Sequence, residues 1–180
     1  MARWSSSALV VVAACGHRDA PRLGPNDVPV ATTAIAVDGE LTEPDWNARA
    51  MRGVLLGPDG DQMRPYSELR LLRDAHALYV ALYAADEDIR SSDAWQLAVG
   101  PRTLRIFANG TSDAPDVAVG VDRDGTIDRP SDYDEEWVIE AAIPLATLGA
   151  PPLAIAAKRC DTPKDGHERC GQWSGKVGLP

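Results

Sequence analysis

The stretch Trp137-Val138-Ile139-Glu140-Ala141-Ala142-Ile143-Pro144-Leu145-Ala146-Thr147-Leu148-Gly149 decides how this chain folds. From Trp137 to Ile143 its residues alternate with a period of two, the spacing of a β-strand. Pro144 has no N–H to continue a ladder, so the strand closes there and a single helical turn runs to Gly149. Glu140 alternates with Val138 and Ala142 on a strand apolar enough to be covered on both faces. A half-buried carboxylate needs a partner, and Arg159 is the expected one. Far upstream, Ile35-Ala36-Val37-Asp38-Gly39-Glu40-Leu41-Thr42-Glu43-Pro44-Asp45-Trp46 follows the same plan of strand, turn and short helix. Thr42 is the expected cap, Pro44 lies in the first turn and Asp45 at the third helical position. Trp46 and Trp137 are both in phase with apolar neighbours and read as core anchors.

Working outward, period two dominates from Ala31 on, with turn signals roughly every eight to twelve residues. Residues 54–56 form a short strand. Residues 68–73 and 78–84 make a hairpin around Asp74-Ala75-His76-Ala77, and its second strand is apolar on both faces, which marks a central strand. Further strands are expected at 95–99, 104–108, 117–121 and 153–158, the second of them ending at the Asn109-Gly110 turn. The fold class is all-β: one antiparallel, jelly-roll-like β-sandwich with one or two short helices.

Residues 1–14 read as an export signal, with Arg3 ahead of an apolar run too short to cross a bilayer. Val12-Ala13-Ala14-Cys15 resembles a bacterial lipobox, which would make Cys15 the lipidated anchor to the membrane. An ordinary secretory signal and a mis-assigned start are the alternatives. Residues 15–30, with Pro21, Gly24, Pro25 and Pro29, are expected to be a tether, and 31–180 the domain. Gly16 after the cysteine points to the outer membrane of a bacterial cell envelope. In that setting Cys160 and Cys170 read as a disulfide around a polar loop. A zinc site using His167 is the sharper alternative, although the spacing matches no usual zinc pattern. With 27 acidic residues against 18 basic ones and a net charge of −9, the chain is unsuited to nucleic acid, whose backbone requires Lys and Arg.

In their order, these segments resemble the family-nine carbohydrate-binding modules, part of a wider DOMON-like group of β-sandwiches. The resemblance rests on Val37-Asp38-Gly39 with Glu43 and Trp46, Leu78-Tyr79-Val80 followed by Asp86 and Asp88, and Asp93-Ala94-Trp95-Gln96-Leu97. Residues 137–144, Arg159 and Trp173-Ser174 complete it. It implies an antiparallel sandwich, of a kind frequently attached to glycan-active enzymes or exported from the cell, with a saccharide as the ligand. Sugar-binding members place a stacking aromatic just before the Asp of an Asp-x-Val-Glu strand. Here Ile89-Arg90-Ser91-Ser92 fills that stretch, and Gln96 stands in place of the Glu. The alternative expectation is therefore an envelope protein that kept the sandwich, lost the sugar site and docks to another protein.

Sugar recognition needs flat aromatic faces for C–H stacking, with amides and charged groups for the hydroxyls. Trp173, in a loop-like setting between Gln172 and Ser174, is the leading ligand contact, with Trp95, Tyr133 and Arg90 beside it. Trp95 is also in phase with Leu97 and Val99, the reading of a core residue. Asp122, Asp124 and Asp128 offer clustered carboxylates in a glycine-containing loop, the pattern calcium prefers; Asp-Gly is equally an ordinary turn. No other cofactor is expected; haem, found on DOMON-like sandwiches, would need Met51, Met63 or His76 as axial ligands. No nucleophile elbow, zinc-protease motif or phosphate loop occurs, so the chain reads as a binding protein and not an enzyme.

Overall fold

The computed structural model describes residues 26–180. Cys15 and the expected signal lie outside them. Among the described residues, nine strands build two antiparallel sheets. The first contains β1 (Met51–Val54), β2 (Ser67–Arg73), β3 (Ala77–Ala85), β6 (Ala118–Asp124) and β7 (Glu136–Pro144), in the order β1-β2-β3-β7-β6. The second contains β4 (Ala94–Val99), β5 (Arg102–Phe107), β8 (Leu153–Asp161) and β9 (Arg169–Val177), in the order β5-β4-β8-β9. Helix is confined to α1 (Pro44–Ala48) and a 3-10 turn at Leu145–Thr147 among the described residues. This is the all-β antiparallel sandwich that the alternation predicts.

Alternate residues of each strand point inward, because a sandwich buries one face of each sheet. Leu78, Val80 and Leu82 of β3 meet Trp95, Leu97 and Val99 of β4 and Ile155 of β8 in one core. A smaller cluster lies outside the five-stranded sheet, where residues 31–50 fold over it. There Trp46 packs on Leu72 and Ala81. The two anchoring tryptophans therefore serve opposite faces of one sheet.

Glu140 explains how that outer layer is held. It projects from β7 away from the main core, and Trp46 Nε1 donates to it at 2.7 Å. The backbone N–H groups of Asp38 and Gly39 donate to its other oxygen at 3.1 and 2.9 Å. The expected pairing with Arg159 does not form, because Glu140 points to the outer side of its sheet, whereas Arg159 is buried between the two sheets. Three further expectations change. Residues 35–37 are not a strand. The helix cap is Glu43 rather than Thr42, and its side chain makes no capping bond. Trp173 and its neighbours, expected in a loop-like setting, belong to β9, an edge strand.

The last part of the expected tether also belongs to the domain. Val28 is fully buried, and its N–H donates to Gly178 O at 3.0 Å. Arg73 ties the two regions together: its Nε donates to Val28 O at 3.3 Å and its Nη2 to Pro180 O. The folded unit thus begins by residue 26, not 31.

Candidate functional site

The outer face of the four-stranded sheet carries a straight row of polar side chains. Antiparallel register sets Arg105 beside Gln96, Gln96 beside Lys158 and Lys158 beside Gln172. Each precedes or follows a buried residue, so alternation alone drives it outward. Leu56 extends the row by a backbone bridge to Gln172 and is 45% exposed. The next row, Thr103, Ala98, Ala156 and Ser174, is small, so it forms a trough. Two hollows result. One of about 230 Å³ lies over Gln96, Ala98, Ala156 and Ser174. The other, about 220 Å³, lies between Leu56, Pro58 and Cys170; both are bounded by Lys158 and Gln172.

This row is prepared for a partner. The side chains of Gln96, Lys158 and Gln172 make no hydrogen bond or ion pair within the described residues. Arg105 stacks its guanidinium 4.9 Å from the Phe107 ring centre, which fixes its plane while leaving its N–H groups available. Amides, an ammonium and a guanidinium on rigid strands, beside small and apolar surface, form a set that can bind hydroxyl groups. They include no nucleophile paired with a base.

The disulfide between Cys160 and Cys170 sits on the same face, two residues along both strands from Lys158 and Gln172. It joins directly opposed residues and so fixes the register that sets Lys158 beside Gln172.

Compared by sequence, the chain matches no family model and no curated protein. Compared by structure, it is similar to a family-nine carbohydrate-binding module from Caldicellulosiruptor kristjanssonii in complex with cellotriose. The TM-score is 0.60 at 15% identity, covering 85% of this chain and 93% of that one. A family-nine carbohydrate-binding module from that organism in complex with glucose gives a TM-score of 0.60 at 15% identity, covering 86% of this chain and 95% of that one. The chain has the fold of a family-nine carbohydrate-binding module.

Within this module-like fold the residues singled out in the sequence do not come together. Trp95 is fully buried in the main core and offers no face to a ligand, so the core reading replaces the ligand one. Trp173 turns into the gap between the sheets, pressed against Gly53 of β1. A Cβ on Gly53 would lie 2.5 Å from the indole nitrogen. It is partly exposed, closes that edge of the sandwich and contributes to the lining of the hollow over Gln96 and Ser174. Tyr133 is 79% exposed, but it stands on the β6–β7 loop under the Lys164 ammonium. Arg90 is engaged by Asp88 at 2.6 Å. Both lie at the end of the sandwich, away from the polar row.

The loop whose carboxylates offered a calcium site, with an ordinary turn as the other reading, is organised by its own hydrogen bonds. Asp122, Asp124 and Asp128 are not among the groups whose ligand atoms converge. Asp128 Oδ1 instead accepts from Ser91 N at 3.0 Å. The loop is shaped by the buried Asp134, which accepts from Ile89 N at 2.7 Å and Thr126 N at 2.9 Å. A plain turn is what the geometry supports.

The end of the sandwich holds a buried charge cluster. Arg159 of β8 is fully buried. It donates to Asp86 at 2.7 Å, Asp161 at 2.9 Å and Ser67 Oγ at 3.1 Å. Asp86 and Ser67 lie on the other sheet's side, so the guanidinium bolts the sheets together, with the Trp137 ring 5.7 Å from it. Asp86, Asp93 and Asp161 converge around it. Burial pushes Asp161 up to about 7 and Asp93 up to about 6. The cluster already contains its cation, and it is a structural joint.

Proposed function

We propose that this chain is a non-catalytic carbohydrate-binding protein that recognises a saccharide on the outer face of its four-stranded sheet. The single observation that carries this reading is the row Arg105–Gln96–Lys158–Gln172: solvent-facing hydrogen-bonding groups on rigid strands, three of them without partners. The fold shared with modules solved in complex with cellotriose and glucose supports the ligand class. Exposed Leu56 offers apolar contact for C–H surface at one end of the row. Basic groups with amides suit a neutral or acidic sugar.

Calorimetric titration with cellotriose and glucose, followed by a wider glycan panel, tests it. Lys158→Ala and Gln96→Ala are each expected to weaken binding about tenfold without changing the melting temperature, since both side chains are exposed. Absence of any glycan binding, or binding that both variants leave unchanged, overturns it. We also propose that the domain is displayed on the outer side of a bacterial envelope through a lipid on Cys15, and the Cys160–Cys170 disulfide supports an oxidising location. Mass spectrometry of the mature N-terminus from its host tests that part separately.

A further inference from the structure

The opposite face of the molecule holds a second groove. Here the row Glu68–Tyr83–Val138–Asp122 crosses the outer side of the five-stranded sheet. Residues 37–41 lie directly on the β6 backbone: a Cβ on Gly120 would stand 2.4 Å from Val37 O. That segment and Asn47 of α1 make the second wall of a cavity of about 420 Å³, within the usual size for a ligand site. Val138 and Leu41 supply apolar lining and Tyr83 a partly exposed ring.

The polar groups of this groove are held in place before any ligand arrives. Glu68, buried to 5% exposure, accepts from the Tyr66 hydroxyl at 2.6 Å and Arg70 Nε at 2.5 Å. Arg70 Nη1 also donates to Asn47 Oδ1 at 3.0 Å. The Tyr83 hydroxyl lies close enough to Glu136 for that carboxylate to help hold its proton. Arg70, the sole cation of the lining, is thus satisfied within the protein. The side-chain carboxylates of Glu40 and Asp122 make no hydrogen bond or ion pair within the described residues. Glu40, Asp122 and Glu136 leave the groove negative, yet they do not converge as ligands of one metal ion would. Spread carboxylates with an aromatic ring and an apolar floor suit a larger cation that also bears hydroxyls.

We propose that this groove is a second binding site, for a sugar residue carrying a protonated amino group. The site is independent of the one on the other sheet and complementary to it in charge. Amide chemical-shift mapping of the described domain with a fully deacetylated glucosamine trisaccharide tests it. Shifts are expected at Gly39, Thr42, Asn47, Tyr83, Asp122 and Val138. The fully acetylated trisaccharide is expected to bind this groove at least about tenfold more weakly, and so is the deacetylated one to an Asp122→Asn, Glu136→Gln variant. Lys158→Ala is expected to leave these shifts intact, which separates this site from the first. The proposal is overturned if no resonance of the groove moves. It is equally overturned if the acetylated form binds as well, or if a simple aliphatic diamine reproduces the response, which would leave charge attraction alone.

Discussion

Arg159 and Glu140 show what single residues contribute here. Arg159 is the fully buried cation among three converging carboxylates, two of them buried, so its loss leaves buried charge without its main compensation. Arg159→Ala is expected to cost about 3–5 kcal/mol in chemical denaturation, whereas a comparable change at exposed Arg105 costs little. The same burial predicts a pH dependence. Asp161 and Glu140 are each pushed up to about 7 and Asp93 to about 6, from ordinary values of 3.8, 4.5 and 3.8. The folded state therefore keeps protons that the unfolded chain has released, so this contribution is full below about pH 4 and is lost as pH rises towards 7. Asp45 opposes this at low pH: the Thr32 backbone N–H lowers it, and that contribution disappears as it protonates. Calorimetry is expected to show a melting temperature that peaks in mildly acid buffer and falls towards neutrality; a profile that rises steadily to pH 8 contradicts it. That Glu140 is buried could be read from its apolar neighbours on β7. Its partners could not, because they depend on which sheet each strand joins.

Among elements, β9 was the least legible. Gly171, Ser174 and Gly175 depress its strand character, and it is a strand because β8 pairs with it from Leu153↔Val177 to Asp161↔Arg169. The polar row was hidden for a related reason. Gln96 is visibly the outward residue between Trp95 and Leu97, but its alignment with Lys158 and Gln172 exists only once the register is known. Trp46, Trp95 and Trp137 are conspicuous in the sequence, yet their large apolar surface is what places them inside. Reducing the Cys160–Cys170 bond is expected to lower stability by about 2–3 kcal/mol, from the loop it closes. It is also expected to weaken any saccharide binding at Lys158 and Gln172, measured by titration with and without reductant. Gly120→Ala probes a different contact. The new methyl would meet the backbone at Val37 and Asp38, so a loss of about 1–3 kcal/mol is expected together with loosening of residues 37–41, seen as faster amide exchange.

At the scale of the whole molecule, alternation and turn signals were enough for the sandwich, and its boundary was the part that composition misjudged. Proline and glycine near residue 30 look like a tether, yet Val28 fills a fully buried position. Starting the chain at Ala31 is expected to cost about 1.5–3 kcal/mol relative to a start at Asn26, read from denaturant midpoints. The clasp behind this number has a topological meaning as well. Asp27 and Gly178 lie side by side, and one guanidinium, that of Arg73, holds the carbonyls of both Val28 and Pro180. The domain is a ring open at a single place. A short linker joining those two regions, with new termini cut in the exposed turn at Asp59–Asp61, would give a circular permutant whose sheets keep every pairing. The position of the opening is then free to be moved, and with it the end of the sandwich at which the chain enters and leaves.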